Sequence, residues 1–261
     1  MSILDTIIKY KREQVTIDKN ERPLHLLERS EYYKMATISL KQSLLMPGSS
    51  GIIAEFKRKS PSKGMINNIA SVVEVTTGYV KAGVAAISVL TDEKFFGGIN
   101  GDIIEARKNN ACPILRKEFI IDEYQIFEAK SIGADAVLLI ASVLEKQEIK
   151  TLASVAISLG LEVLLELHDE LELAKVPGNI EIIGINNRDL KTFQVDMEQS
   201  KRMAGQLGNS MVKVAESGID CIETIIELKK NGFQGFLMGE HFMKTENPGK
   251  TCKQFIEKMK T

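Results

Sequence analysis

GIIAEFKRKSPSKG, residues 51–64, is the stretch from which the fold is read. Ile52, Ile53 and Ala54 open it as an apolar strand and lead directly into Glu55 and Lys57, after which Ser60, Pro61 and Gly64 break the run. Strand side chains alternate between faces, so Ile53, Glu55 and Lys57 point the same way. A strand buried on both faces normally stays apolar to its end. An acid and a base on the inward face at the C-terminal tip are costly unless paired or used. In parallel α/β proteins that tip is where chemistry sits.

Similar apolar runs recur every ~20–35 residues, each followed by a helix-like segment. They are GIIAEFK (51–57), AAISVLT (85–91), CPILRK (112–117), ADAVLLIA (134–141), LEVLLEL (161–167), IEIIGINN (180–187), VKVAES (212–217) and FQGFLMG (233–239). Eight βα units in about 210 residues predict an α/β fold of the (β/α)8 TIM-barrel type. A doubly wound sheet would carry a G-x-G-x-x-G turn after its first strand, and none is present. Upstream, Ile3, Leu4, Ile7 and Ile8 form an apolar helical stripe extended by Val15. A second helical segment is expected over residues 24–45, ending at the breaker run MPGSSG. The expected organisation is a single domain, residues 1–261. A helical extension takes up about residues 1–48 and the barrel about residues 49–261.

The 261 residues are 44% hydrophobic and 26% charged, with a formal net charge of −1, which allows both a sizeable core and a solvated surface. No basic excess or aromatic-interleaved Lys/Arg cluster points to nucleic acid. The N-terminal MSILDTIIKYKREQV carries both charge signs and lacks a signal-peptide core, and no stretch has the length of a bilayer span. A cytoplasmic protein without a membrane partner is therefore expected. Cys112, Cys221 and Cys252 lie far apart with no C-x-x-C pair, which argues for buried thiols rather than disulfides or a metal site. His25, His168 and His241 fall at no ligand spacing, so each reads as structural or surface, and no metal or cofactor is expected.

A barrel enzyme should gather polar residues at the C-terminal tips of its strands. Here the tips hold Glu55 and Lys57, Lys117 and Glu118, Glu166, Asn186 with Asn187 and Arg188, Glu216 with Ser217 and Gly218, and Gly239 with Glu240. Any one of these is more often a solvated loop group, but unrelated loops would not place lysines and glutamates at equivalent tips. The last two tips correspond to the loops through which many barrels bind phosphate with backbone N–H groups. The residues alone thus point to a cofactor-free barrel enzyme in which lysines and glutamates exchange protons on a small phosphorylated compound.

These motifs resemble the indole-3-glycerol-phosphate synthase family of tryptophan biosynthesis. The matching segments are IIAEFKRKSPSKG, SVLTDEKFFGG, PILRKEF, LLELH, IGINNRDLKTF, VAESGI and LMGEHFM, in the family's order along nearly the whole chain. The resemblance implies a (β/α)8 barrel with an N-terminal helical extension. It also implies conversion of 1-(2-carboxyphenylamino)-1-deoxyribulose 5-phosphate to indole-3-glycerol phosphate, with loss of carbon dioxide and water and no cofactor. Carried over by position, Lys117 would protonate the ribulose carbonyl and Glu166 would serve the later dehydration. Glu55 would orient the lysines, and Lys57 would sit near the substrate carboxylate. Asn186 and Arg188 would hold the carboxylate and hydroxyls, and Glu216 would complete the polar ring. Ser217, Gly218, Gly239 and the Glu240 backbone would receive the phosphate. Phe96, Phe119 and Leu138 would line the aniline ring, with Ser60 among the substrate contacts. The chain is expected to act as a monomer.

Two departures from the family pattern stand out. Glu118 takes the place of the usual aspartate after Lys117, and its longer side chain is expected to shift a hydrogen bond to a neighbouring loop. Segment 65–75, MINNIASVVEV, lacks the aspartate and proline often found there. A lysine acid works best at neutral pH with its pKa lowered by desolvation or nearby cations, and this is the expectation for Lys117. The competing enzyme, phosphoribosylanthranilate isomerase, should carry a cysteine at the end of its first strand, where this chain has Glu55 and Lys57. A silent, purely binding barrel would be expected to have lost at least one of Lys57, Lys117 and Glu166.

Overall fold

Eight parallel strands close into a barrel in the computed structural model, which describes residues 2–188 and 194–260. In chain order they are β1 (Ile52–Phe56), β2 (Ala86–Leu90), β3 (Ile114–Lys117), β4 (Ala136–Ile140), β5 (Glu162–Leu167), β6 (Ile182–Asn186), β7 (Val212–Glu216) and β8 (Gly235–Met238). Each predicted run contains one of them. Every strand pairs in parallel with its sequence neighbours, and β1 closes the ring against β8. The strands read as apolar throughout because both faces are covered. Ile52, Ala54 and Phe56 pack outward with the surrounding helices, whereas Ile53 packs inward with Leu115, Leu138, Leu164 and Val214. The expected alternation in β1 is therefore present.

Several of the outer helices begin at side-chain caps. Ser71 caps Val72–Ala82, Asp122 caps Glu123–Ser131 and Asp196 caps Met197–Gln206, each accepting a hydrogen bond from an otherwise unpaired backbone N–H. The run after β1 is not wholly irregular. Lys59–Ser60 and Gly64–Met65 pair as a two-stranded antiparallel hairpin beside the barrel mouth.

The N-terminal helix, Ile3–Glu21, starts at a capping box formed by Ser2 and Asp5 and buries Ile7, Lys11 and Val15. The single helical segment expected over residues 24–45 is instead three short pieces, Leu24–Leu27, the 3-10 turn Glu31–Lys34, and Leu40–Leu45. Hydroxyl side chains explain the breaks. Ser30 donates to the Ser131 carbonyl and Ser39 to Glu162, while Thr37 donates to the Gly160 carbonyl. Ser30 and Ser39 also cap the pieces that follow them. Such bonds compete with helix propagation. They lash the segment under the strand N-termini, where Leu40 and Leu44 complete the barrel's interior cluster. None of the described helices is long and apolar enough to cross a membrane.

Candidate active site

At the opposite end of the barrel the same inward register turns from apolar to charged. β3 carries Leu115 inward and then Lys117, and β5 carries Leu164 inward and then Glu166. The Lys117 ammonium lies 2.5 Å from Glu166 Oε2 and 2.8 Å from Glu216 Oε2. Asn186 Nδ2 donates to Glu166 Oε1 at 3.0 Å, and Lys57 Nζ pairs with Glu55 Oε1 at 2.7 Å. Three strands thus converge on one ammonium group, while β1 supplies a second ion pair. Glu55, Lys57, Lys117, Glu166, Asn186 and Glu216 all line one cavity of about 400 Å³.

The remaining predicted residues line that cavity too. Phe96 and Phe119 stand with ring centroids 5.9 Å apart, and Leu138, Ser60 and Arg188 share the wall. Ser217, Gly218, Gly239 and Glu240 form the side at the ends of β7 and β8. Ser217 has φ 68° and Gly218 φ 70°, and among the described residues Ser217 is the only non-glycine with positive φ. That conformation costs energy in a residue with a Cβ and is held from outside, because Asn187 Nδ2 donates to the Ser217 carbonyl at 2.7 Å. Close approach explains two glycines. A Cβ on Gly184 would overlap Oε1 of Glu216, and one on Gly239 would overlap Oε1 of Glu55.

The electrostatics follow from burial and alternation of charge. Burial alone would push the Lys117 amine down, but Glu166, Glu216 and Glu55 outweigh it and hold it above the ordinary lysine value. The expectation of a lowered lysine pKa is therefore reversed: desolvation is present, but anions rather than cations surround the amine. Burial likewise opposes ionisation of Glu166, yet Lys117 and His168 carry its carboxyl well below the usual range. Burial and the neighbouring Glu166 charge push Glu216 up to about 7, against the pull of Lys117. Its Oε1 is buried and has no hydrogen-bond partner among the described residues. One lysine thus bridges an ionised carboxylate and a readily protonated one.

Sequence reasoning missed three contributions. His168, read as structural or surface, lies on the same inward register as Glu166, with Nε2 2.9 Å from its Oε1. The two-residue spacing from Glu166 was the available signal. The apolar stripe of the N-terminal helix was visible, but not its destination: Ile3, Leu4 and Ile7 form part of the cavity wall. That helix is held by buried Lys11, which pairs with Asp92 at 2.9 Å and Glu118 at 3.0 Å. Glu118 also accepts from Thr91 Oγ1, in the loop after β2, at 2.8 Å.

A closed parallel barrel with a polar, ion-paired mouth defines the class of (β/α)8-barrel proteins with an acid–base site at the strand C-termini. The family profile described as indole-3-glycerol phosphate synthase matches residues 4–255. The chain is 49% identical over 255 residues to the indole-3-glycerol phosphate synthase of Bacteroides thetaiotaomicron, covering 98% of both chains. It is 43% identical over 260 residues to the protein of the same name from Caldanaerobacter subterraneus, covering 99% of both. The chain belongs to the indole-3-glycerol phosphate synthase family. Among solved structures it resembles the tryptophan synthase alpha chain of Legionella pneumophila in fold, with a TM-score of 0.61 and 12% identity over 84% of this chain and 95% of that one.

Proposed function

We propose that the chain catalyses the reaction of its family, converting 1-(2-carboxyphenylamino)-1-deoxyribulose 5-phosphate to indole-3-glycerol phosphate, carbon dioxide and water. The observation that carries this reading is Lys117, held charged between Glu166 and Glu216 at the centre of a cavity that also offers two aromatic rings and two tight turns. The turns at Ser217–Gly218 and Gly239–Glu240 take the phosphate through backbone N–H groups. Phe96 and Phe119 cover the aniline ring, and Arg188 with Lys57 holds the carboxylate. A flexible substrate is thereby folded on itself, and such positioning is worth up to ~7–11 kcal/mol of barrier in favourable cases.

The aniline ring supplies its own electrons, so the chemistry demands proton transfer rather than a cofactor. The ring carbon bearing the carboxylate attacks the ribulose carbonyl, and Lys117 gives its proton to the oxygen as the carbon–carbon bond forms. Carbon dioxide then leaves that ring carbon and its electron pair restores aromaticity. In the dehydration, Glu166 takes a proton from the carbon beside nitrogen, that bond's electrons form the new ring double bond, and the hydroxyl leaves as water with a proton from a lysine ammonium. Glu216, 2.8 Å away and titrating near neutrality, restores the Lys117 proton. Glu55 steadies Lys57.

We propose that the chain acts as a monomer. The family's biosynthetic role supports a cytoplasmic location. The test is direct: the purified protein, supplied with the substrate and no metal or nucleotide, should form a fluorescent indole product and one carbon dioxide per turnover. Absence of that product would overturn the reading.

A further inference from the structure

His168 closes one end of the acid–base cluster. Its Nε2 lies 2.9 Å from Glu166 Oε1, the oxygen that Asn186 also contacts. The separation is that of a hydrogen bond but the N–H direction is not, so charge rather than alignment carries the contact. On the far side of the ring, Nδ1 lies 3.9 Å from Glu172 Oε2 and 3.4 Å from Ser142 Oγ. Glu172 is locked in place by the His168 backbone N–H, which donates to it at 2.7 Å. Gln199 Nε2, from the helix Met197–Gln206, donates to the His168 carbonyl at 3.1 Å.

The groups facing the imidazole are therefore anionic or neutral. Glu166 lies on β5, two residues before His168, Glu172 comes from the 3-10 turn Glu170–Lys175, Ser142 from the loop after β4, and Glu216 from β7 acts at longer range. Asp169 is turned to cap the 3-10 turn, and Lys175 is turned to the carbonyls of Ala141 and Leu144. From Glu172 through His168, Glu166 and Lys117 to Glu216, acidic and basic side chains alternate. Burial would lower the histidine's pKa, but Glu166, Glu172 and Glu216 outweigh it and raise it.

We propose that His168 is a positioning residue: its imidazolium pins Oε1 of Glu166 and holds that carboxylate ready, so that Glu166 rather than Glu216 receives the proton of the dehydration step. This rests on Glu166 as the base of that step. An apolar or merely structural histidine would need no second carboxylate behind it. The arrangement instead places a cation between two acids, which fixes which glutamate in the cavity is ionised.

The experiment is a pH profile of kcat for the unaltered protein, His168→Gln and Glu166→Gln, since the dehydration follows the irreversible loss of carbon dioxide. The acidic limb of kcat reports protonation of the base in the substrate-bound enzyme. His168→Gln keeps a donor but removes the charge, so the limb should move upward by about half to one pH unit, with kcat reduced several-fold. A limb that stays in place while Glu166→Gln is inactive overturns the histidine's role and leaves the function standing. A fully active Glu166→Gln overturns the assignment of Glu166 itself. Should His168→Gln fail to fold, ring-nitrogen NMR of the unaltered protein at pH 6.5 decides. More than half imidazolium is expected, and a neutral ring overturns the proposal.

Discussion

Leu115 and Lys117 sit two residues apart on β3 and share the inward face of the barrel, yet their surroundings differ completely. Leu115 is fully buried among Ile53, Ala136, Leu164 and Val214, above the plug formed by Leu40 and Leu44. Lys117 meets two carboxylates and an open cavity. The base of the barrel gains stability by removing apolar surface from water, roughly 1.5–3 kcal/mol for each large side chain. The rim spends stability to keep charges in a partly dry space, where each ion is tolerable only because its neighbours carry the opposite sign. One strand register serves both ends, so fold and chemistry are separable by a single layer of side chains. Arg116, between the two residues, points outward and braces the tip through Glu128 at 2.5 Å and the Gln125 carbonyl at 2.8 Å.

That separation can be broken from either side. Lys117→Ala should lower kcat by about 10²–10⁴-fold, the range for removing a general acid, with the thermal midpoint changing far less than the rate; steady-state kinetics beside calorimetry would check it. Leu115→Ala should do the reverse. It should cost about 2–5 kcal/mol in denaturant unfolding and leave turnover per folded molecule nearly unchanged.

Gly184 lies where the two layers meet. Gly184→Ala would force its Cβ against both the Glu216 carboxylate and the Leu164 side chain. Both readouts should then move, with about 1–3 kcal/mol lost in unfolding and up to about 100-fold in kcat. A Gly184→Ala protein altered in only one of the two would show that the layers are less coupled than the packing indicates. Arg188→Ala should have the smallest effect, raising KM about tenfold with kcat held, as expected for removal of uniform substrate binding.

The eight strands were legible because burial on both faces leaves runs such as AVLLI that no surface strand would carry. Glu55, Lys117 and Glu166 were legible because each is a charge placed on an inward register. What the sequence could not disclose were bonds between distant positions. Residues 24–45 have helical spacing, but Ser30 and Thr37 are drawn to carbonyls at Ser131 and Gly160, about 100 and 120 positions away. His168 matched no metal or triad spacing, and its meaning came from Glu172 behind it and Glu166 ahead, a relation made by folding. Lys11 likewise has no signal of its own in the sequence, and only folding brings Asp92 and Glu118 to it.

In the proposed geometry a substrate anchored by its phosphate at the β7 and β8 tips presents its reacting carbons to Lys117 and Glu166. A crystal structure with bound indole-3-glycerol phosphate tests this most directly. The phosphate should rest on the turns at Ser217–Gly218 and Gly239–Glu240, with the indole ring beside Phe96 and Phe119 and within reach of the Lys117 ammonium. A phosphate bound elsewhere, or an indole ring outside that mouth, would contradict it.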